Sequence, residues 1–495
     1  MSIRHFSLSI ATANRTLVQI DDYPVHENHI TFLFGESGIG KSVISKALYG
    51  LMDDDSLNVT INNAPYGYHL NSEWAKSIRE NSFFVFQEPS SHLNPLMKIN
   101  EQLNEGSLDS RGDNDILEYL WQHSQENTLQ TILNVYPKPY RPSGGEKQRI
   151  LLAMAFKKIN SIIENKPEHG STYFVFDEPT GSLDNNYRNL FLNLLFQKYY
   201  AHPFTAVIIT HDYSIISEVL RNYKKLLPAV HFKELSRIDE SKVKVENFSP
   251  EEYINWLNKS HWHNSISQQN KPEPVLYVYP QFEIFSRKLN IYSNGIQPRL
   301  APLTINRGEV IYLKAPSGIG KTTLAKIIMG IYKAERFSMK LCGVEYTHES
   351  HESRWIKEIW GKKAGMIFQH ADESLNMEST VEEAFKGLKI NKSIASVLST
   401  LFEYYNEPAF LKKKIAFLSG GQKQRLNILR SLALEPDLII LDEPLNGLDF
   451  INVQKVLTLL NDLRMNGAAL LMISHNEEIF DTIIPKENIY FLAAE

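Results

Sequence analysis

The feature that most constrains this chain is that it repeats itself. Gly-Ile-Gly-Lys stands at 38–41 and again at 318–321. Ser-Gly-Gly-Glu-Lys-Gln-Arg at 143–149 is answered by Ser-Gly-Gly-Gln-Lys-Gln-Arg at 419–425. Phe-Asp-Glu-Pro at 176–179 returns as Leu-Asp-Glu-Pro at 441–444, and Ile-Thr-His at 209–211 as Ile-Ser-His at 473–475. Four motifs in one order at nearly one spacing mean a duplicated domain, so each copy must fold as a unit. The first copy is longer between its second and third motifs (177 − 143 = 34 against 442 − 419 = 23). The extra residues centre on 164–171, a polar stretch with Pro167 and Gly170, which reads as a lengthened surface loop.

The expected division is a first domain over 1–225, a partly helical extension and linker over 226–280, and a second domain over 281–495. Within the extension, Ser249-Pro-Glu-Glu-Tyr opens a helix. Ser249 fits the N-cap, Pro250 the first helical position and Glu252 the capping-box position. The polar run from His261 to Pro274 reads as linker. His261 and His263 have metal-ligand side chains, but a solvated linker is the stronger reading.

The first Gly-Ile-Gly-Lys lies in Gly35-Glu-Ser-Gly-Ile-Gly-Lys-Ser42, between an apolar strand pattern at 30–34 and a helical pattern at 43–49. Strand, glycine loop, Lys-Ser/Thr and helix is the context of a phosphate-binding loop. Gly35, Gly38 and Gly40 let the amides of this loop, with Ser37 and Val43, curl around phosphates. Lys41 reaches the β- and γ-phosphates and Ser42 a Mg²⁺ ion. The second copy places Ser317, Gly318, Gly320, Lys321, Thr322 and Thr323 likewise, with Ala315 where the first has Gly35.

Asp177 and Asp442 end short apolar runs that read as buried parallel strands. A carboxylate at such a strand end, beside a phosphate loop, fits a Mg²⁺ site. Glu178 and Glu443 follow, placed to deprotonate an attacking water.

Phosphate loop, Ser-Gly-Gly-Gln, Asp-Glu and a late histidine, in this order, resemble the nucleotide-binding domain of ABC transporter ATPases, and in two copies the resemblance covers nearly the whole chain. It implies an α/β fold of two tandem domains. Each would have an α/β core that binds ATP, an antiparallel β part and a helical subdomain carrying the Ser-Gly-Gly signature. It implies that Gln87 and Gln369 sense Mg²⁺ and face a membrane partner, and that His211 and His475 contact the γ-phosphate. Residues 182–184 and 447–449 match the loop that crosses the dimer interface. In the family the signature of one domain closes on ATP held by the other. Ser419, Gly420, Gly421 and Gln422 would therefore serve the site of Lys41, and Ser143, Gly144 and Gly145 the site of Lys321. Glu146 replaces the signature glutamine. It favours the helix dipole but sets a carboxylate near phosphate, so it and Ala315 leave room for unequal hydrolysis at the two sites. Tyr292 matches the adenine-stacking aromatic. The first copy has Thr12 at that distance, with Phe6 and Tyr23 as weak substitutes.

Leu93-Asn-Pro95 and Tyr136-Pro-Lys-Pro-Tyr140 resemble the peptide and nickel importer ATPases. The implied partners are two transmembrane permease subunits and a solute-binding protein, with the two ATPase domains pairing within one chain at the cytoplasmic face of the membrane. The alternative is a soluble ABC protein that acts on the ribosome, a group marked by a longer, charged, helical linker. Composition agrees with a borrowed membrane part, since no apolar run of about 18 residues exists and no secretory pattern follows Met1. A net charge of −5 gives no footprint for nucleic acid. One cysteine, Cys342, excludes an intramolecular disulfide and a four-cysteine cluster.

Overall fold

A computed structural model of the chain describes residues 2–52, 56–104, 113–122, 128–138, 141–165, 171–181, 185–239, 241–262, 274–294, 299–316, 318–390, 392–402 and 408–495. Ser317, His263, loop 182–184, residues 166–170 of the lengthened loop and most of the expected linker lie outside the described residues. Two compact units result, Met1–Pro250 and Glu251–Glu495.

In unit one the phosphate-loop strand, Ile30–Gly35, is buried at all six positions. It lies parallel to Ala206–Ile209 on one side and to Val230–Arg237 on the other. Phe174–Asp177 and then Phe84–Val85 extend the parallel part. These runs are continuously apolar because a parallel strand is covered on both faces. On one face Leu33, Val175 and Val207 pack with Ile44, Ala47 and Leu48 of the helix Lys41–Tyr49. On the other, Phe32 meets Phe196 of the helix Asn185–Ala201. The sheet continues past Val230–Arg237 through Lys242–Asn247 to the antiparallel strands Ile3–Thr12, Thr16–His26 and Leu57–Ile61. A helical part follows, in which Gly144–Asn165 is the long member.

Unit two repeats the plan with its strands split into two sheets. Val310–Lys314 lies parallel to Ala469–Ile473 and to Ile489–Ala494, and Leu438–Asp442 and Ala364–Ile367 extend the parallel part. A separate antiparallel sheet holds Leu303–Ile305, Leu276–Val278, Ser338–Leu341 and Val344–Thr347. Its helical part includes Ile394–Leu398, Pro408–Lys412 and the signature helix Gly420–Leu432.

The 226–280 segment does not stand apart as an extension. Val230–Arg237 and Lys242–Asn247 are interior strands of unit one. The helix Pro250–Lys259 starts where its capping residues indicate, but it is fastened to unit two. Tyr253 donates its hydroxyl to Glu478 at 2.9 Å and sets its ring edge-on to Phe450. The Trp262 N–H donates to the Ile483 carbonyl at 2.8 Å, and the His261 ring bonds the Thr482 carbonyl. Among the described residues no cluster of three or more His, Cys, Asp or Glu side chains is placed to hold a metal. The unit border thus falls at 250 rather than 225. The polar alternation of Val230–Arg237 hides a strand whose burial comes from neighbours remote in sequence.

Candidate active site

Each phosphate loop is shaped by glycines in backbone conformations that L side chains rarely adopt. Gly35, Gly38 and Gly40 have φ of 134°, 79° and 115°, and Gly318 and Gly320 have 79° and 122°. A Cβ on Gly40 would stand 2.8 Å from Val18, so a neighbouring strand leaves no room there. The helices that follow begin at Lys41 and Lys321 with no side chain capping their first N–H groups. Uncapped amides at a helix start are a place for an anion. The Lys41 ammonium is buried inside its loop, donating to the Gly35 carbonyl at 2.5 Å and the Glu36 carbonyl at 3.1 Å. Lys321 does the same toward Ala315 and Pro316.

Sheet register brings the other elements to the same edge. Asp177 pairs with Ile209 and Asp442 with Ile473. Val85 pairs with Phe176 and Ile367 with Leu441, so Gln87 and Gln369, two residues further, emerge level with Glu178 and Glu443. Gln87 is exposed and Gln369 half-buried. The carboxyl ends of parallel strands, where α/β sheets bind ligands, therefore hold Gln, Asp-Glu and His together in each unit.

Asp177 is pushed up to about 6, chiefly by burial, against the pull of the Ser42 hydroxyl. Asp442 is raised for the same reason, with the Thr322 hydroxyl opposing. Asp177 Oδ1 and both Asp442 oxygens are buried without a hydrogen-bond partner. Desolvated, orphaned carboxylate oxygens next to a Ser/Thr hydroxyl fit a hard divalent cation.

Glu178 and Glu443 both sit in the left-handed region, at φ 47° and 49°, with their N–H groups held by the Ile209 and Ile473 carbonyls. Such strain persists where surrounding structure enforces it. The units then differ. Glu178 Oε1 meets His211 Nδ1 at 2.9 Å. Burial pulls His211 down, but the Glu178 carboxylate outweighs it and the ring ends raised. Glu443 instead accepts the Ser474 hydroxyl at 2.8 Å, and His475 Nε2 stands 3.7 Å away. Burial pushes Glu443 up to about 7, although the His475 N–H and the Ser474 hydroxyl resist this. Ser474 lies within the repeated Ile-Ser-His motif, but nothing in the sequence assigns it a role.

Both signatures form a reciprocal cap. The Ser419 N–H donates to the Gln422 side chain at 3.1 Å, and the Gln422 N–H to Ser419 Oγ at 3.2 Å. Ser143 and Glu146 do the same at 2.6 and 3.2 Å. The Glu146 carboxylate is thus occupied by its own helix start, and the change from glutamine keeps the cap. Gly144, Gly145, Gly420 and Gly421 form the first turns of these helices.

Tyr292 is half-buried on the strand Arg287–Ser293, opposite Phe491. Leu289 on that strand lies against Gly320. Tyr292, three positions further on, alternates to the other face of the strand from Leu289. Phe6 and Tyr23 are core residues, and Phe6 packs on Trp74 at 4.9 Å. Neither is available to stack on a base.

The sequence pattern of the ABC transporter family matches residues 19–163 and 300–446. The chain is similar along most of its length to the peptidoglycan transport ATP-binding protein YejF of Agrobacterium fabrum, at 25% identity over 96% of this chain and 88% of that protein. An uncharacterized ABC transporter ATP-binding protein YejF of Escherichia coli is 27% identical over 93% and 88%. The nickel import ATP-binding protein LarO of Lactiplantibacillus plantarum is 34% identical over 35% of this chain and 74% of its own. Among solved structures, one described as RNase-L Inhibitor superposes with a TM-score of 0.60 at 18% identity, covering 98% of this chain and 89% of that one, a likeness of fold. The two matched segments take in both phosphate loops, both Ser-Gly-Gly signatures and the second Asp-Glu pair: the chain is an ABC-type ATPase of the ABC transporter family, with two ATP-binding domains.

Proposed function

We propose that this chain is the ATP-hydrolysing motor subunit of an importer, driving uptake of peptide, nickel or a metal chelate through two separate permease subunits supplied by a solute-binding protein. The observation that carries the reading is that each unit keeps a full set of lysine, hydroxyl, Asp, Glu, Gln and His at one sheet edge. The names of the relatives YejF and LarO support transport, and among the described residues no helix is long and apolar enough to cross a membrane.

In this reading the loop amides and Lys41 or Lys321 hold the triphosphate. Ser42 with Asp177, and Thr322 with Asp442, hold Mg²⁺, which when bound neutralises phosphate charge. Glu178 or Glu443 takes a proton from water as its oxygen bonds the γ-phosphorus and the bond to the β-phosphate oxygen breaks. His211 and His475 orient the γ-phosphate. The signature of each unit completes the site of the other, so ATP closes the pair and hydrolysis reopens it. Gln87 and Gln369 pass that motion to the permeases at the cytoplasmic face. An apolar groove lined by Trp360, Met366, Phe368, Leu388 and Leu434 begins one residue before Gln369 and suits an apolar permease segment.

Glu178→Gln and Glu443→Gln are each expected to slow ATP turnover, and the double variant to lose about 100-fold or more with ATP still bound. Unchanged turnover in the double variant would sink the hydrolytic assignment. Permeases recovered with the tagged chain from membranes support the importer, whereas recovered ribosomes would replace it.

A further inference from the structure

The two units hold Glu178 and Glu443 by different side chains. In unit two, Ser474 follows the strand Ala469–Ile473, and its hydroxyl donates to Glu443 Oε2 at 2.8 Å. That hydroxyl is itself aimed. The Asn476 N–H donates to Ser474 Oγ at 3.1 Å, which occupies a lone pair and leaves the proton for Glu443. The Tyr312 hydroxyl donates to the Ser474 carbonyl at 2.9 Å and fixes the backbone beneath it. Ser474 and Glu443 are both buried, at 3% and 4% exposure, so water cannot replace this bond. The carboxylate is thereby held off the His475 ring, at 3.7 Å.

In unit one the matching residue is Thr210, also buried and also accepting an N–H, from Asp212 at 3.0 Å. Yet its hydroxyl makes no bond to Glu178, whose carboxylate is taken by the His211 ring instead. One hydroxyl-bearing position in two copies thus serves two different arrangements. A charge-assisted bond in a dry site fixes a carboxylate's rotamer more firmly than packing does.

We propose that Ser474 is a positioning residue for Glu443, and that Thr210 has no such role toward Glu178. The inference rests on the reading of Glu443 as the group that activates water. Orientation by Ser474 matters to the chemical step, when the carboxylate must meet the water, and not to holding ATP. It therefore acts on kcat and leaves KM alone.

The test is steady-state ATP hydrolysis by the full chain. Ser474→Ala is expected to lower kcat twofold or more at unchanged KM for ATP. Ser474→Thr, which keeps the donor, retains native kcat. Ser474→Cys, which keeps the volume but donates weakly, matches the alanine variant and covers the case of an alanine chain that does not fold. In a Glu443→Gln chain, Ser474→Ala gives no further loss, because the two act through one bond. Thr210→Ala leaves kcat within about 20% of native. Native kcat in Ser474→Ala beside a depressed Glu443→Gln overturns this proposal alone, as does an additive loss in the double variant or an equal loss from Thr210→Ala. Native kcat in Glu443→Gln overturns the reading beneath it.

Discussion

His26 and His231 stack with ring centroids 3.8 Å apart, and the buried Nε2 of each lacks a hydrogen-bond partner. His29 adds a third ring 5.1 Å from His231. Burial, then His26, His29 and Lys233, push His231 down to about 4. His26 is lowered by burial, then by Lys233, His29 and His5. In the unfolded chain histidines take up protons near 6.5. Between about 6.5 and 4 the unfolded state therefore binds more protons, so stability present above 6.5 falls as pH falls. Thermal unfolding of unit one is expected to drop by several degrees from pH 7 to pH 5, and His231→Asn to flatten that slope. An unchanged slope would show that the cluster is not the acid-sensitive element. At this scale the sequence was readable where chemistry demands a residue type, as at Lys41 and Lys321. It was silent where geometry chooses among acceptable types. Nothing in Ile473-Ser-His475 says that the serine will bond the glutamate while the threonine of Ile209-Thr-His211 will not.

Among elements, the two phosphate loops show how one motif tolerates different first residues. Gly35 adopts φ 134°, and a Cβ there would stand 2.6 Å from the Leu235 carbonyl oxygen. Ala315 is absent from the positive-φ residues, so unit two enters its loop in an ordinary conformation. A small side chain therefore fits this turn at Ala315 and not at Gly35. Gly35→Ala is expected to cost about 2 kcal/mol or more, about 4–8 °C in the unfolding transition of unit one. Ala315→Gly should shift unit two by less than 3 °C. Calorimetry of the two variants checks both. Apolar runs such as Leu438–Asp442 were legible as buried strands because burial on both faces needs no alternation. The strand Val230–Arg237 was not, because its partly exposed, charged pattern suits either a strand or a surface segment.

The duplication was the most legible property of the whole molecule, and it led to the family. What it misplaced was the border. A fragment 1–225 lacks Val230–Arg237 and Lys242–Asn247, which lie inside the sheet beside Ile30–Gly35. It is expected to be insoluble or unfolded by circular dichroism, whereas 1–250 is expected to give a cooperative transition. A folded 1–225 would show those strands to be dispensable.

The position of Val230–Arg237 also bears on how the chain is made. The strand that carries the first phosphate loop is among the earliest to be synthesised, yet its parallel neighbour comes some 200 residues later. Ile489–Ala494 stands in the same relation to Val310–Lys314. Pairing remote in sequence forms slowly, and domains of a growing chain fold as units in order. Each nucleotide-binding loop therefore stays unsupported through most of the translation of its own unit, and becomes rigid only when that unit's closing strands emerge.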